Sequence, residues 1–391
     1  MLGSIYVGLS GMLSYSSGLR LVSNNITNLN SVGYKATLVS FGGMLGQQET
    51  VSGFSRFQTP TGRGVSVQQA RLDFSQGELR QSDRDLDLAV DGSGFFVLEK
   101  DGELSYARTG RFEVNSDGDI VLAGTDYRLM RLDEDKNLIV ATVGADRSFA
   151  PEASTRVEFT GNLSSAATSH TIQDITVYDA QGEPIELSIS FTRDDNSDDE
   201  SWSFDVLDAS GESLQSGTLE VSDGQILGDT GEISVNLQND QTVVLDFSEG
   251  VTYFSSGSLS SLSAEDADGF PFGELQSITV DDRGYLSASY TNGETRDLGA
   301  VALADLNDPQ ALVQNDIGVF DYAGYEQVAY LTSDAPNVGK VLPRRSEASN
   351  VDLSEQFGDL ILVQRGYQAS SQVVSVSNDM IQQLFGIRGQ G

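Results

Sequence analysis

The sequence contains no cysteine, a single histidine, a single tryptophan and seven prolines in 391 residues. The missing cysteines exclude disulfides, thiolate metal sites and cysteine nucleophiles. One histidine, His170, all but excludes histidine-dependent catalysis and multi-histidine metal sites. Lysine is scarce as well, present only at positions 35, 100, 136 and 340. Against 23 Lys+Arg stand 58 Asp+Glu, a net charge of -35. Such a chain is not built to hold phosphate backbones or an anionic membrane surface, so neither nucleic acid nor membrane insertion is expected. No stretch reaches the roughly 18 apolar residues of a membrane span. Residues 1–29 also lack the basic start, apolar run and cleavage site of a secretory leader. That fits a cytoplasmic chain or one exported by a route that cleaves nothing.

What is present is a folded composition. Hydrophobic residues make up 38% and charged residues 21%, which argues against wholesale disorder. The length suits two or three domains. Charge is partitioned along the chain. Residues 1–35 contain no Asp or Glu, whereas residues 151–280 contain 25 acidic groups and two basic ones. A dense single-sign surface is a solvated face. The neutral ends read as segments covered by something else.

Both ends carry heptad patterns. Ile5, Met12, Leu19 and Ile26 recur every seven residues, followed by Gly8, Tyr15, Val22 and Leu29. Leu360, Tyr367, Val374 and Ile381 repeat the pattern near the C-terminus, with Val363, Ser370, Ser377 and Leu384. The first helix carries Ser, Gly and Asn on its other faces instead of charges, which predicts burial on several sides. Two amphipathic helices at opposite termini are expected to pair. Tyr15, Leu19 and Tyr367 are also candidates for contact between subunits.

From about residue 65 to 345 the text is short alternating strands with Gly, Asp and Asn turns. Leu86–Val90 and Phe95–Leu98 flank the turn 91–94, and tight turns are expected at 99–102 and 115–118. The expected fold class is α+β, mainly β: paired terminal coiled-coil-like helices with nested β-barrel or β-sandwich domains between them. The expected division is a terminal helical core (1–35 and 350–391), a connecting segment (36–72), an inner β domain (73–150 and 281–349) and an outer acidic β domain (151–280).

No catalytic, cofactor or metal site emerges. Gly92-Ser-Gly94 lacks the downstream helix of a dinucleotide fold and reads as a turn. Asp194, Asn196 and Asp198 have calcium-loop spacing, but Asp199 stands where the loop needs Gly and Asp205 where it needs Glu. A solvated hairpin loop is the better reading. His170 reads as an exposed loop residue, and Trp202 as a core anchor of the outer domain.

Several motifs, in order, span nearly the whole chain. They are Asn24-Asn-Ile-Thr-Asn-Leu-Asn-Ser-Val-Gly-Tyr-Lys35, Gln76-Gly-Glu-Leu79, Asp85-Leu-Asp-Leu-Ala-Val-Asp-Gly-Ser-Gly-Phe-Phe96, Tyr106-Ala-Arg-Thr-Gly-Arg-Phe112, and Ser349-Asn-Val-Asp-Leu353 with Gln364-Arg-Gly-Tyr-Gln368. Together they resemble the rod/hook axial protein family of the bacterial flagellum. The matching positions Asn24, Asn25, Asn28, Gly33, Tyr34, Gln364 and Arg365 are carried over as family signature residues. The long insert after Ala150 is similar to the hook branch, since the rod members are shorter. The resemblance implies a non-enzymatic subunit that polymerises into a curved, flexible tube passing motor torque to the filament. It implies as partners other copies of the chain, the rod, the hook cap, the hook–filament junction proteins and the flagellar type III export apparatus. It also implies an extracellular place, reached without cleavage. Phe41-Gly-Gly-Met-Leu45 resembles an export-gate motif through Phe41 and Leu45. Two alternatives stand beside this reading: a distal-rod member of the same family, and a secreted acidic β-sandwich glycosidase.

Overall fold

The computed structural model describes residues 2–45, 62–67, 70–193, 201–222, 224–226, 228–237, 241–314, 318–324 and 327–388. The calcium-like spacing at 194–198 lies outside them. The fold is mainly β, with long helices Leu2–Thr27 and Leu353–Arg388 at its two ends. The chain forms two compact units. One is Met1–Gly144, Ile278–Ser287 and Asp297–Gly391; the other is Ala145–Ser277 and Ala288–Arg296.

In the first unit, strand Phe95–Lys100 pairs antiparallel with Glu103–Ala107, Arg128–Leu132 and Leu303–Asp305. Its turn needs positive φ at Asp101 (53°) and Gly102 (85°), the type I′ geometry that an Asp-Gly pair allows. Phe95, Val97, Tyr106, Met130 and Phe320 pack inside. Phe74, Phe95 and Phe320 form a ring trio with centroids 5.7 to 5.9 Å apart. The C-terminal segment then returns to the start of the domain. Lys340–Pro343 pairs with Asp87–Asp91, and Arg345–Glu347 with Leu79–Gln81. Everything between those partners is therefore an insertion in sequence.

The second unit is a ten-stranded sheet folded around its own core. Strands Ser169–Tyr178, Pro184–Thr192, Ser201–Asp208 and Ser213–Ser222 form an antiparallel meander. Alternate residues point inward, as a half-solvated sheet requires. Trp202, Phe159, Phe191 and Phe247 are fully buried, and the Phe159 and Phe247 rings stack at 4.1 Å. Trp202 is thus the core anchor expected. His170 is not a loop residue. It lies in a strand, partly buried, its Nε2 2.8 Å from the Leu262 carbonyl and its ring stacked toward Phe191. The Ser/Thr-rich text around it hid a strand because serine and threonine serve turns and strand surfaces alike.

Candidate assembly site

The two terminal helices pack antiparallel. The residues that close their seam are small. Gly8, Gly11, Ser14, Gly18, Val22 and Asn25 form the buried stripe of the first helix; Gly8 and Gly11 face the second helix, whereas Ser14 donates to the Val65 carbonyl and Gly18 lies against Phe41 and Val39. A Cβ at Gly8 would stand 2.7 Å from Val374 Cγ2, and one at Gly11 2.5 Å from Ser370 Oγ. The second helix reciprocates: a Cβ at Gly366 would stand 2.5 Å from the Tyr15 ring. On its side Gln356, Val363 and Ser377 are buried. Glycine at these points lets the two backbones approach closely.

This revises the expected seam on the first helix, where Gly8 and Val22 are buried as expected but the rest shifts; on the second helix the expected Val363 and Ser377 are buried and Leu360, Ser370, Val374 and Ile381 partly so. On the first helix the buried stripe passes through positions 11, 18 and 25, one residue before Met12, Leu19 and Ile26. Ile5, Met12, Tyr15 and Ile26 are only partly buried, and Leu19 is exposed. On the second helix Tyr367 is exposed. Large apolar residues mark the seam of an ordinary coiled coil. Here Gly8, Gly11 and Gly366 let the helices approach, with Val374 packed on Gly8 and the Tyr15 ring on Gly366, while other large apolar residues lie outside. Tyr6, Leu9 and Leu13 are 69, 44 and 64% exposed, and Ile361, Leu362 and Met380 are 51, 68 and 51% exposed. Large apolar side chains thus lie on the outer surface of the pair, interspersed on the second helix with exposed Glu355, Gln364, Arg365 and Asp379.

Phe41 begins strand Phe41–Leu45, which pairs with Gly62–Val67. Its ring lies 4.9 Å from that of Tyr15 and packs over Gly18. The side chain of Leu45 lies outside the described residues.

The signature residues lie where the helices leave the β domain. Asn25 is nearly fully buried and all four of its amide hydrogen bonds are made. Its Nδ2 donates to the Thr37 carbonyl (3.0 Å) and Gln356 Oε1 (2.9 Å), and its Oδ1 accepts from Thr37 N–H (3.0 Å) and Tyr34 O–H (3.0 Å). It reads both backbone groups of Thr37 as a neighbouring strand would, while holding the second helix through Gln356. Asn24 Nδ2 donates to the Tyr34 hydroxyl at 3.2 Å, and Asn28 Nδ2 to the Asn24 carbonyl at 2.9 Å. Gly33 turns the chain at φ +70° and its N–H donates to the Glu347 carbonyl. Gln364 and Arg365, by contrast, are exposed on the second helix.

Beside this knot lies a buried charge cluster. Glu347 is completely buried, and its Oε1 accepts from Lys35 Nζ (2.7 Å) and Gly77 N–H (2.8 Å). Its Oε2 faces Arg108 Nε at 3.4 Å. Lys35 also donates to the Ser75 carbonyl, and Arg108 donates to the carbonyls of Gly94 and Gly92. Gly92 (φ 102°) and Gly94 (φ 98°) form the turn expected there, and its carbonyls wrap the guanidinium. Burial pushes both cations below their ordinary pKa values, and the Glu347 carboxylate works against that shift. Asn350 completes the joint: its Oδ1 accepts from Ala36 N–H at 2.7 Å and its Nδ2 donates to the Asp73 carbonyl at 2.8 Å. Three chain segments, 33–37, 73–77 and 345–351, are thereby pinned to one another. Sequence reasoning missed Glu347 and Gln356, and noticed Arg108 and Asn350 only as members of motifs. Glu347 is one of 58 acidic residues, and its lysine partner stands 312 positions away.

Among the described residues no group of three or more His, Asp or Glu side chains is placed to hold a metal ion. No described helix is long and apolar enough to cross a membrane.

The family described as flagellar hook protein FlgE/F/G D1 domain matches residues 89–288, and that described as flagellar basal body rod FlgEFG protein C-terminal matches 343–387. The flagellar hook protein FlgE of Borreliella burgdorferi is 27% identical, over 98% of this chain and 99% of its own. FlgE of Escherichia coli is 23% identical, over 97% of this chain and 98% of its own. The crystal structure of Helicobacter pylori hook protein FlgE2 superposes with a TM-score of 0.48 at 10% identity, covering 67% of this chain and 98% of that one. With a family match over more than half its length, the chain belongs to the FlgE/F/G family of flagellar hook and rod proteins.

Proposed function

We propose that the chain is the structural subunit of a flagellar hook, which polymerises with copies of itself into the curved tube that carries motor torque from rod to filament. One observation carries the reading. The helix pair approaches closely at Gly8, Gly11 and Gly366 and leaves many of its large apolar residues outside. Burying one such side chain stabilises by about 1.5–3 kcal/mol. Tyr6, Leu9, Leu13, Ile361, Leu362 and Met380 together supply on the order of 10 kcal/mol, comparable with the ordering cost of association. The absence of acidic residues from positions 1–35 lets the first-helix part of this surface meet other copies without carboxylates of its own. The insert, which the shorter rod members lack, favours the hook over the distal rod.

In this reading the helices (1–35 and 350–391) line the tube, the segment 36–72 connects, the strands of 73–150 and 281–349 form the inner wall, and 151–280 forms the acidic outer wall. The partners are the rod, the hook cap, the junction proteins and the type III export apparatus, which passes the chain out uncleaved. Phe41 and Leu45 serve as the export motif. Because the Phe41 ring packs against Tyr15 in the folded chain, the export gate would read it before folding.

The test is Leu13→Asp. This side chain is 64% exposed, so the variant is expected to fold with unchanged thermal unfolding and to form no tubes. Normal tubes from Leu13→Asp would refute the proposal.

A further inference from the structure

The second unit is strongly acidic, yet residues 159–173 and 250–264 carry no Asp, Glu, Lys or Arg. These two stretches are laced together. Asn162 Nδ2 donates to the Phe254 carbonyl and to Ser256 Oγ, both at 3.0 Å, and its Oδ1 accepts from Phe254 N–H at 2.9 Å. Ser164 Oγ donates to the Gly257 carbonyl at 2.6 Å, and its N–H to Ser260 Oγ at 2.9 Å. The loop held in this way presents Phe254 and Leu259 to solvent, 59% and 81% exposed. A loop already fixed by its own hydrogen bonds loses little entropy on docking.

The four-stranded meander shows where this knob lies. Ser169, Thr192, Ser201 and Ser222 are the strand ends on its side, since His170 meets Leu262 and Tyr253 N–H donates to the Gly224 carbonyl. Tyr178, Pro184, Asp208 and Ser213 are the opposite ends, about 30 Å away for strands of this length. At that far end lies a hollow of about 450 Å³. Ile185, Leu214 and Leu237 line its apolar part, and Asp179 and Asp208 its polar part.

We infer that the Phe254–Leu259 loop of one copy seats in this hollow on the second unit of the next copy. The inference rests on the polymer reading above. An acidic hollow repels a like-charged surface, and the knob is made from stretches without charge. Knob and hollow occupy opposite ends of one sheet, so the contact is head-to-tail and extends from copy to copy instead of closing in a pair. Carboxylates elsewhere on both copies still repel, so the contact tightens as salt is raised.

The absence of cysteine makes the test clean. Chains carrying Leu259→Cys are mixed with chains carrying Ala209→Cys, which lines the hollow, then assembled and oxidised. Disulfide-linked dimers are expected, and a ladder of higher species from the chain that carries both. Glu220→Cys in place of Ala209→Cys is the control and is expected to give background only. Leu259→Asp is expected to raise the critical concentration for tube formation about tenfold, with Trp202 emission unchanged. Tubes that form with no cross-link above the Glu220→Cys background, or with an unchanged critical concentration in Leu259→Asp, overturn this contact and leave the polymer reading standing. A native chain that forms no tubes overturns both.

Discussion

Glu347→Gln isolates the buried charge cluster at the neck, the joint where segments 33–37, 73–77 and 345–351 are pinned together. The substitution keeps the shape of the side chain and an oxygen that accepts from Gly77 N–H. It removes the only carboxylate within ion-pair distance of Lys35 and of Arg108 among the described residues. Lys35 and Arg108 have side chains 1% and 4% exposed, so water cannot replace the lost charge. Leaving a buried cation without its partner costs about 3–5 kcal/mol. That is a large share of the stability of an ordinary domain. The chain supplies two reporters. Its single tryptophan, Trp202, sits in the second unit, and far-UV circular dichroism follows both units. In urea, the dichroism of the first unit is expected to be lost earlier in Glu347→Gln, while the Trp202 transition stays in place. Lys35→Met added to Glu347→Gln is expected to recover part of the loss, because one stranded charge is gone. The loss also depends on pH. Burial already lowers the Lys35 pKa below 10.5, and without Glu347 it falls further. The unfolded chain then binds the proton more tightly, so the variant regains stability as pH rises through the window below 10.5. A loss below about 1 kcal/mol, or an equal shift of the Trp202 transition, would refute the reasoning.

Other outcomes follow from the same geometry. Gly358 on the second helix has open space around its Cβ position, so Gly358→Ala is expected to stabilise by up to about 1 kcal/mol. Gly11→Val is expected to destabilise the helix pair by about 1–3 kcal/mol despite its better propensity, because overpacking against Ser370 wins; thermal unfolding followed at 222 nm checks both. In the second unit burial pushes Asp246 and Asp268 up, but hydrogen bonds from Ser248 and Arg156 to the first, and from Arg156 and Thr155 to the second, outweigh it and hold both below 3.8. Their stabilisation is complete above 3.8 and lost as pH falls through the lower folded values. Trp202 fluorescence in an acid titration is expected to show that loss, and Asp268→Asn to flatten it.

The strands were legible because turn chemistry and alternation are local. Asp101-Gly102 announces its hairpin, and the inward residues of Ile185–Phe191 alternate as a half-buried strand must. The helices were legible as helices. The register of the second helix was legible too, apart from exposed Tyr367; that of the first was legible only in part, because its buried stripe runs through Gly11, Gly18 and Asn25 in place of the large Met12, Leu19 and Ile26. The outward face of Leu9 and Leu13 looks like a core until the partner helix is seen to approach on the other side. The neck was illegible for a different reason. Asn25, Lys35, Asn350 and Glu347 act through partners up to 331 positions away, and no local pattern marks a carboxylate that will be buried. The motif Asn24–Lys35 could be noticed, but its work of saturating Thr37 and holding Gln356 required coordinates.

Negative-stain microscopy of the purified full-length chain above its critical concentration tests the central claim most directly. The account predicts hollow tubes from the native chain and dispersed particles from Leu13→Asp at the same concentration. Tubes from both, or from neither at any concentration and salt, would contradict it.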